Sequence, residues 1–155
     1  ITDEAARAVA AKGGVIGIHF GSLFNNPKYW AWQTAPKETT PASVKGPEMN
    51  TIEEADNEVR KEVPLVFNGT IPDEYWMHVD QLAKVIDYGV NLVGEDHMAL
   101  GCDLDGGPEL PREIKDISDY PQITMAMQRL GYSDNRIKKI LGLNWLRVIE
   151  EVTGG

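Results

Sequence analysis

Gly101-Cys102-Asp103-Leu104-Asp105-Gly106-Gly107 is the sharpest chemical pattern in this sequence. Two carboxylates stand two positions apart where the apolar run His97-Met98-Ala99-Leu100-Gly101-Cys102 gives way to glycines. In parallel α/β folds, catalytic side chains collect at the carboxyl ends of strands. A carboxylate there can act as general base, as metal ligand, or as anchor for a substrate ammonium. The alternative is an Asp-rich turn that caps the next element, with Asp105-Gly106 as ordinary turn chemistry. A calcium loop does not complete, because no Glu follows at the position it requires. The other titratable candidates are spread out. His19, His78 and His97 are too scattered to read as a metal site, and Cys102 has an acidic neighbour that opposes a reactive thiolate.

The elements that must hold this segment follow from patterning. Thr2 is an N-cap with Asp3 and Glu4 at the positive end of the dipole, so residues 2–12 read as a helix ending at Lys12-Gly13. Residues 14–20, Gly-Val-Ile-Gly-Ile-His-Phe, have the length and β-branched content of a buried strand. The lack of alternation points to a parallel sheet covered on both faces. Residues 21–70 are rich in Pro, Thr, Asn and Lys and hold the aromatic cluster Tyr29-Trp30-Ala31-Trp32. Only 51–62 reads as helical there, so the stretch is far longer than the usual connection of about 4–6 residues.

From Thr70 a helix is expected, with Pro72 in its first turn and Tyr75, Trp76, Val79, Leu82, Ala83 and Ile86 on one apolar face. Gly89 and Gly94 read as bracketing a turn before the second strand, 97–102. The tail reads as short helices separated by glycine breaks, near 121–130, 133–141 (capped by Ser133) and 144–152.

Composition narrows the class. The chain has 155 residues, 15 basic and 24 acidic side chains, and a net charge of −9. That balance opposes binding to nucleic acid or to an anionic membrane surface. No apolar run approaches the roughly 18–20 residues that span a bilayer, and no signal-like segment opens the chain. Two short parallel strands are not a stable sheet alone, and a (β/α)8 barrel needs roughly 250 residues. With too few strands for either sheet, the chain is expected to be part of something larger; its opening on Ile1 directly before a helix cap suits a processed product or the later part of a longer chain.

Four ordered stretches resemble the membrane (renal) dipeptidase family of metallopeptidases, in the amidohydrolase superfamily. His78-Val79-Asp80-Gln81-Leu82 followed by residues 93–106, Val-Gly-Glu-Asp-His-Met-Ala-Leu-Gly-Cys-Asp-Leu-Asp-Gly, is similar to that family's "H-x-D-H…G-x-D-H-V-x-x-G-S-D-F-D-G". Ile1-Thr2-Asp3-Glu4 resembles the segment after the family's Arg-Asn pair, and Lys12 to Ile18 its seventh barrel strand. Residues 117–121, 129–133 and 140–148 resemble its C-terminal end.

The resemblance implies that residues 1–155 are the C-terminal part of one (β/α)8 TIM barrel. Residues 21–70 would be an insertion and 121–152 a helical tail. It further implies a zinc-dependent dipeptidase in which a two-zinc centre supplies a bridging hydroxide. Asp103 matches the Asp ending the eighth strand, which would relay a proton to the leaving amine and hold the substrate's amino end. The family's zinc ligands and its carboxylate-binding Arg would all lie upstream of Ile1, so no metal ligand is expected in this chain. The expected partners are a dipeptide substrate, the N-terminal part of the barrel and a second copy in a homodimer.

Around Asp103, Phe24 is a candidate for lining the substrate pocket, whereas Asp105 is expected to shape the turn. His19 reads as a core or rim histidine, His97 as structural, and His78 as lying on a helix at the outer surface. Tyr29, Trp30 and Trp32 are either packing or a pocket wall. Two other functions stay open. The long insertion would suit a relative that tailors a peptide natural product, and a non-catalytic interaction module would fold alone.

Overall fold

A computed structural model describes residues 1–34, 72–104 and 109–154; the expected helix 51–62, the Thr70 cap and Asp105 lie outside them. The chain runs α1 (Asp3–Ala11), β1 (Ile16–His19), α2 (Ser22–Asn25), α3 (Pro27–Thr34), a 3-10 turn at Asp73–Tyr75, α4 (Val79–Val93), a second 3-10 turn at Glu95–His97, and β2 (Met98–Cys102). A 3-10 turn at Ile117–Asp119 then leads into α5 (Tyr120–Arg129) and α6 (Asp134–Lys138), and a π-helical turn at Lys139–Leu143 carries on into α7 (Asn144–Thr153). The fold is α/β and mostly helical.

Both strands form where the apolar runs lie, and they pair in parallel as expected. Ile16, Gly17 and Ile18 face Met98, Ala99 and Leu100; His19 then faces Cys102, leaving Gly101 as an extra residue in β2. Such a bulge re-aims the side chains beyond it. Gly101 is required by close approach, since a Cβ there would lie 3.0 Å from the Gly17 carbonyl carbon.

The core lies between the strand pair and the helices. Val79, Leu82, Ala83, Ile86 and Val90 form the buried stripe of α4. They pack with Phe20, Met77, Met98, Ile123, Met127 and Ile140. Each large apolar side chain buried there contributes roughly 1.5–3 kcal/mol.

Four expectations are corrected. The helix expected from Thr70 starts at Val79. His78 is its N-cap, and Glu113 Oε2 accepts the Val79 N–H at 2.9 Å, so a residue 34 positions on fixes this start. Gly89 does not bracket a turn: it lies inside α4, where the side chain of Met98 fills the space a Cβ would take. Gly142 breaks nothing, because the π-helical turn carries the helix through it. The start of 21–70 is not irregular, since α2 and α3 occupy it.

Candidate functional site

The site forms where β1 and β2 end. Cys102 and Asp103 both adopt left-handed backbone, with φ of 42° and 77°. Non-glycine residues rarely sit there, and two in succession cost of order 1–3 kcal/mol each. The bulge at Gly101 and these two residues turn the Asp103 carboxylate toward β1. There Asp103 Oδ2 lies 2.9 Å from His19 Nε2.

His19 is held from its other side. The Gly21 N–H donates to His19 Nδ1 at 2.8 Å. Nδ1 therefore carries no proton, and the neutral ring's proton is on Nε2, which donates to Asp103. The Phe24 ring packs edge-on against the imidazole, with centroids 4.6 Å apart. Asn25 Nδ2 donates to the His19 carbonyl, which ties the first turn of chain after β1 back to the strand end. His19 and Asp103 keep 32% and 48% of their side-chain surface, so the pair is ordered yet reachable by a solute.

Of the expected site residues, Asp103 thus follows directly on β2 and Phe24 stands across the His19 ring from it. The partnership of His19 with Asp103 is what the sequence reading missed. The two are 84 positions apart, and only the register of β1 on β2 joins them. The one available signal is that His19 and Cys102 both stand at or next to the carboxyl ends of two apolar runs.

Among the described residues, no other candidate is hydrogen-bonded to the side chains of this pair. Cys102 is partly buried and its thiol meets Tyr120, whose phenol is pushed up by burial and then by that contact. His97 Nδ1–H donates to the Gly14 carbonyl at 2.8 Å, in keeping with a structural role. His78 caps α4 and pairs with Glu113 at 2.7 Å. Tyr29 is fully buried, and burial followed by the Glu109 carboxylate pushes its phenol up; this favours packing over a pocket wall. Trp30 is exposed on α3. A cavity of about 450 Å³ between α1, β1 and α4 is lined mainly by apolar groups such as Ile16, Ile18, Val85 and Leu92. His19 and Phe24 reach its lining, but Asp103 does not.

Zinc sites take three or four protein ligands. Among the described residues no three His, Cys, Asp or Glu side chains group to hold a metal. His19 and Asp103 alone do not fit a metal centre, and no metal-dependent step is assigned to them. Also among the described residues, no helix is long and apolar enough to cross a membrane.

The comparisons with known proteins are consistent along the chain. A family model described as membrane dipeptidase (peptidase family M19) matches residues 1–154. An uncharacterized protein in the pqqA 5'region of Klebsiella pneumoniae is 29% identical over 152 residues, which is 98% of this chain and 40% of that protein. Dipeptidase tcpJ of Claviceps purpurea (strain 20.1) is 42% identical over 62 residues, 40% of this chain and 15% of that protein. The crystal structure of a metallo peptidase from Rhodobacter sphaeroides, liganded with a phosphinate mimic of the dipeptide L-Ala-D-Ala, superposes with a TM-score of 0.62 at 19% identity. It covers 97% of this chain and 30% of that one. The chain therefore spans well under half the length of these relatives.

Proposed function

The chain belongs to the membrane dipeptidase family of metallopeptidases, and from that premise we propose that it works as the C-terminal part of a zinc-dependent dipeptidase. In this reading β1 and β2 are the last two strands of a (β/α)8 barrel. Residues preceding this stretch in the family pattern supply the other strands. Two zinc ions are the metal of the complete enzyme, held by residues outside these 155, and the complete enzyme is a homodimer.

The observation that carries the proposal is Asp103. It is a half-exposed carboxylate on strained backbone at the carboxyl end of a parallel strand. Strain kept at such a place is a mark of function. Oδ2 accepts from His19, and among the described residues no other hydrogen bond reaches this carboxylate. The second oxygen can accept a proton from the attacking water. It can then pass that proton to the nitrogen leaving the cleaved peptide bond. While ionised, the same carboxylate attracts the ammonium end of a dipeptide. Phe24, exposed beside His19, offers an apolar surface to a substrate side chain.

The test uses the full-length protein that contains this chain, loaded with zinc and given a panel of dipeptides. Hydrolysis is expected, and Asp103→Asn should lower kcat by about 10²–10⁴-fold, the range for a lost general acid–base group. Absence of turnover on every dipeptide, or an Asp103→Asn enzyme with unchanged kcat, rejects the reading.

A further inference from the structure

We propose that His19 is the positioning residue of Asp103: a neutral imidazole that fixes which carboxylate oxygen faces the reaction. The inference deepens the function proposed above and rests on Asp103 being the proton relay.

Three observations carry it. First, the ring is locked at both nitrogens. The Gly21 N–H donates to Nδ1 at 2.8 Å, so Nε2 bears the proton and donates to Asp103 Oδ2 at 2.9 Å. A backbone donor selects the tautomer. Second, the ring cannot swing away freely. Phe24 packs edge-on against it at 4.6 Å, and Asn25 Nδ2 binds the His19 carbonyl. Third, the partner it holds is poised on costly backbone. The φ of 77° at Asp103 and the bulge at Gly101 set the carboxylate's direction, and the remaining freedom is rotation about the side-chain bonds. A single hydrogen bond to Oδ2 removes that freedom and leaves the other oxygen for substrate. His19 need not touch substrate; it acts through Asp103.

This role differs from plain packing in ways that kinetics can read. Gln places an amide N–H near the position of Nε2, whereas Leu keeps the bulk and removes the donor. In the full-length zinc-loaded enzyme, His19→Leu should lower kcat about 10–100-fold, as expected for loss of an orienting partner. KM should stay within about 3-fold, since the interaction affects the reaction step more than binding. His19→Gln should recover most of the lost kcat. In an Asp103→Asn background, His19→Leu should add nothing further, because residues that act as one unit are non-additive.

The proposal is overturned if His19→Gln and His19→Leu are equally impaired, if the loss falls on KM alone, or if it persists in full on Asp103→Asn. A His19→Leu enzyme with normal kcat beside an inactive Asp103→Asn enzyme overturns the positioning role and leaves the relay standing. An Asp103→Asn enzyme with normal kcat removes both. Should His19→Leu fail to fold, nitrogen NMR of the unmodified protein decides. The Nε2-protonated tautomer is expected, and a proton on Nδ1 contradicts the proposal.

Discussion

The two ends of the parallel strand pair are built differently. At the amino end, side chains from distant elements donate to backbone carbonyls. Arg147 binds the Gly13 and Asp96 carbonyls at 2.7 and 3.0 Å, and His97 binds that of Gly14 at 2.8 Å. Asn144 binds the Glu95 and Met98 carbonyls at 2.7 and 2.8 Å, and farther along, at mid-strand, Trp145 reaches that of Leu100 at 3.0 Å. At the carboxyl end the backbone is strained at Cys102 and Asp103; Asn25 Nδ2 donates to the His19 carbonyl, but the His19 and Asp103 side chains pair with each other and stay partly exposed. The amino end therefore spends its polar groups on satisfying the backbone. The carboxyl end holds polar groups open to a ligand at a cost in strain. Such a division is what α/β folds show when stability and chemistry are kept at opposite ends of the strands.

The sharpest way to break this contrast is at Asn144, which is 3% exposed. Asn144→Leu keeps the branched shape, with added bulk, but strands the Glu95 and Met98 carbonyls without their donor. Each unsatisfied buried group costs about 1–3 kcal/mol, so a loss of about 3 kcal/mol is expected in denaturant unfolding of the full-length protein. Activity per folded molecule should hardly change. A loss below about 0.5 kcal/mol, the level of an ordinary surface change, would mean the amino end is not the stabilising one.

A smaller effect, and one that depends on pH, is expected at Glu113. Burial alone would raise its carboxyl, but hydrogen bonds from His78 and the Val79 N–H hold it below the ordinary carboxylate value. A depressed carboxylate stabilises the fold above its unfolded pKa, and that stability is lost as pH falls through the folded value. Glu113→Gln should therefore cost about 1 kcal/mol near pH 7, the scale of a lost helix cap. The gap to the unmodified protein should begin to narrow at about pH 4.3, where the unfolded carboxyl takes up its proton, and should close only at lower pH, once the folded carboxyl is protonated as well. Equal gaps at pH 7 and pH 3.5 would show that the carboxylate's charge plays no part at the start of α4.

What could be read in the sequence follows the same division between local and distant causes. Thr2 and Ser133 cap their helices as expected, because a cap needs only the next three residues. The strands at 14–20 and 97–102 appear where their apolar runs lie, and they are parallel. The start of α4 is not legible locally, because its decisive acceptor, Glu113, comes from far along the chain. Gly89 and Gly142 look like punctuation in the sequence, yet one makes room for Met98 and the other is absorbed by a π-helical turn. At the candidate site, the glycine setting leaves an ordinary turn equally open, and the family resemblance singles out Asp103, which the structure places directly after β2. Its bond to His19 is not legible, since a one-residue bulge decides which side chains meet across β1 and β2.

The smallest expected change in stability belongs to the residue expected to matter most for chemistry. Asn tolerates left-handed backbone as Asp does, so the φ of 77° at position 103 can be kept. The Asn amide oxygen can still accept from His19 Nε2, so the imidazole keeps its partner. No buried group is left unpaired, because the side chain is half exposed. Asp103→Asn should therefore shift unfolding free energy by less than about 0.5 kcal/mol, in line with a surface substitution. Combined with the expected fall in kcat, this would separate the chemical from the structural cost at one atom pair. A loss of 2 kcal/mol or more would instead make Asp103 a brace for the strand end, and its effect on turnover would then be a consequence of misfolding. The two ends of the strands would differ in exposure but not in purpose.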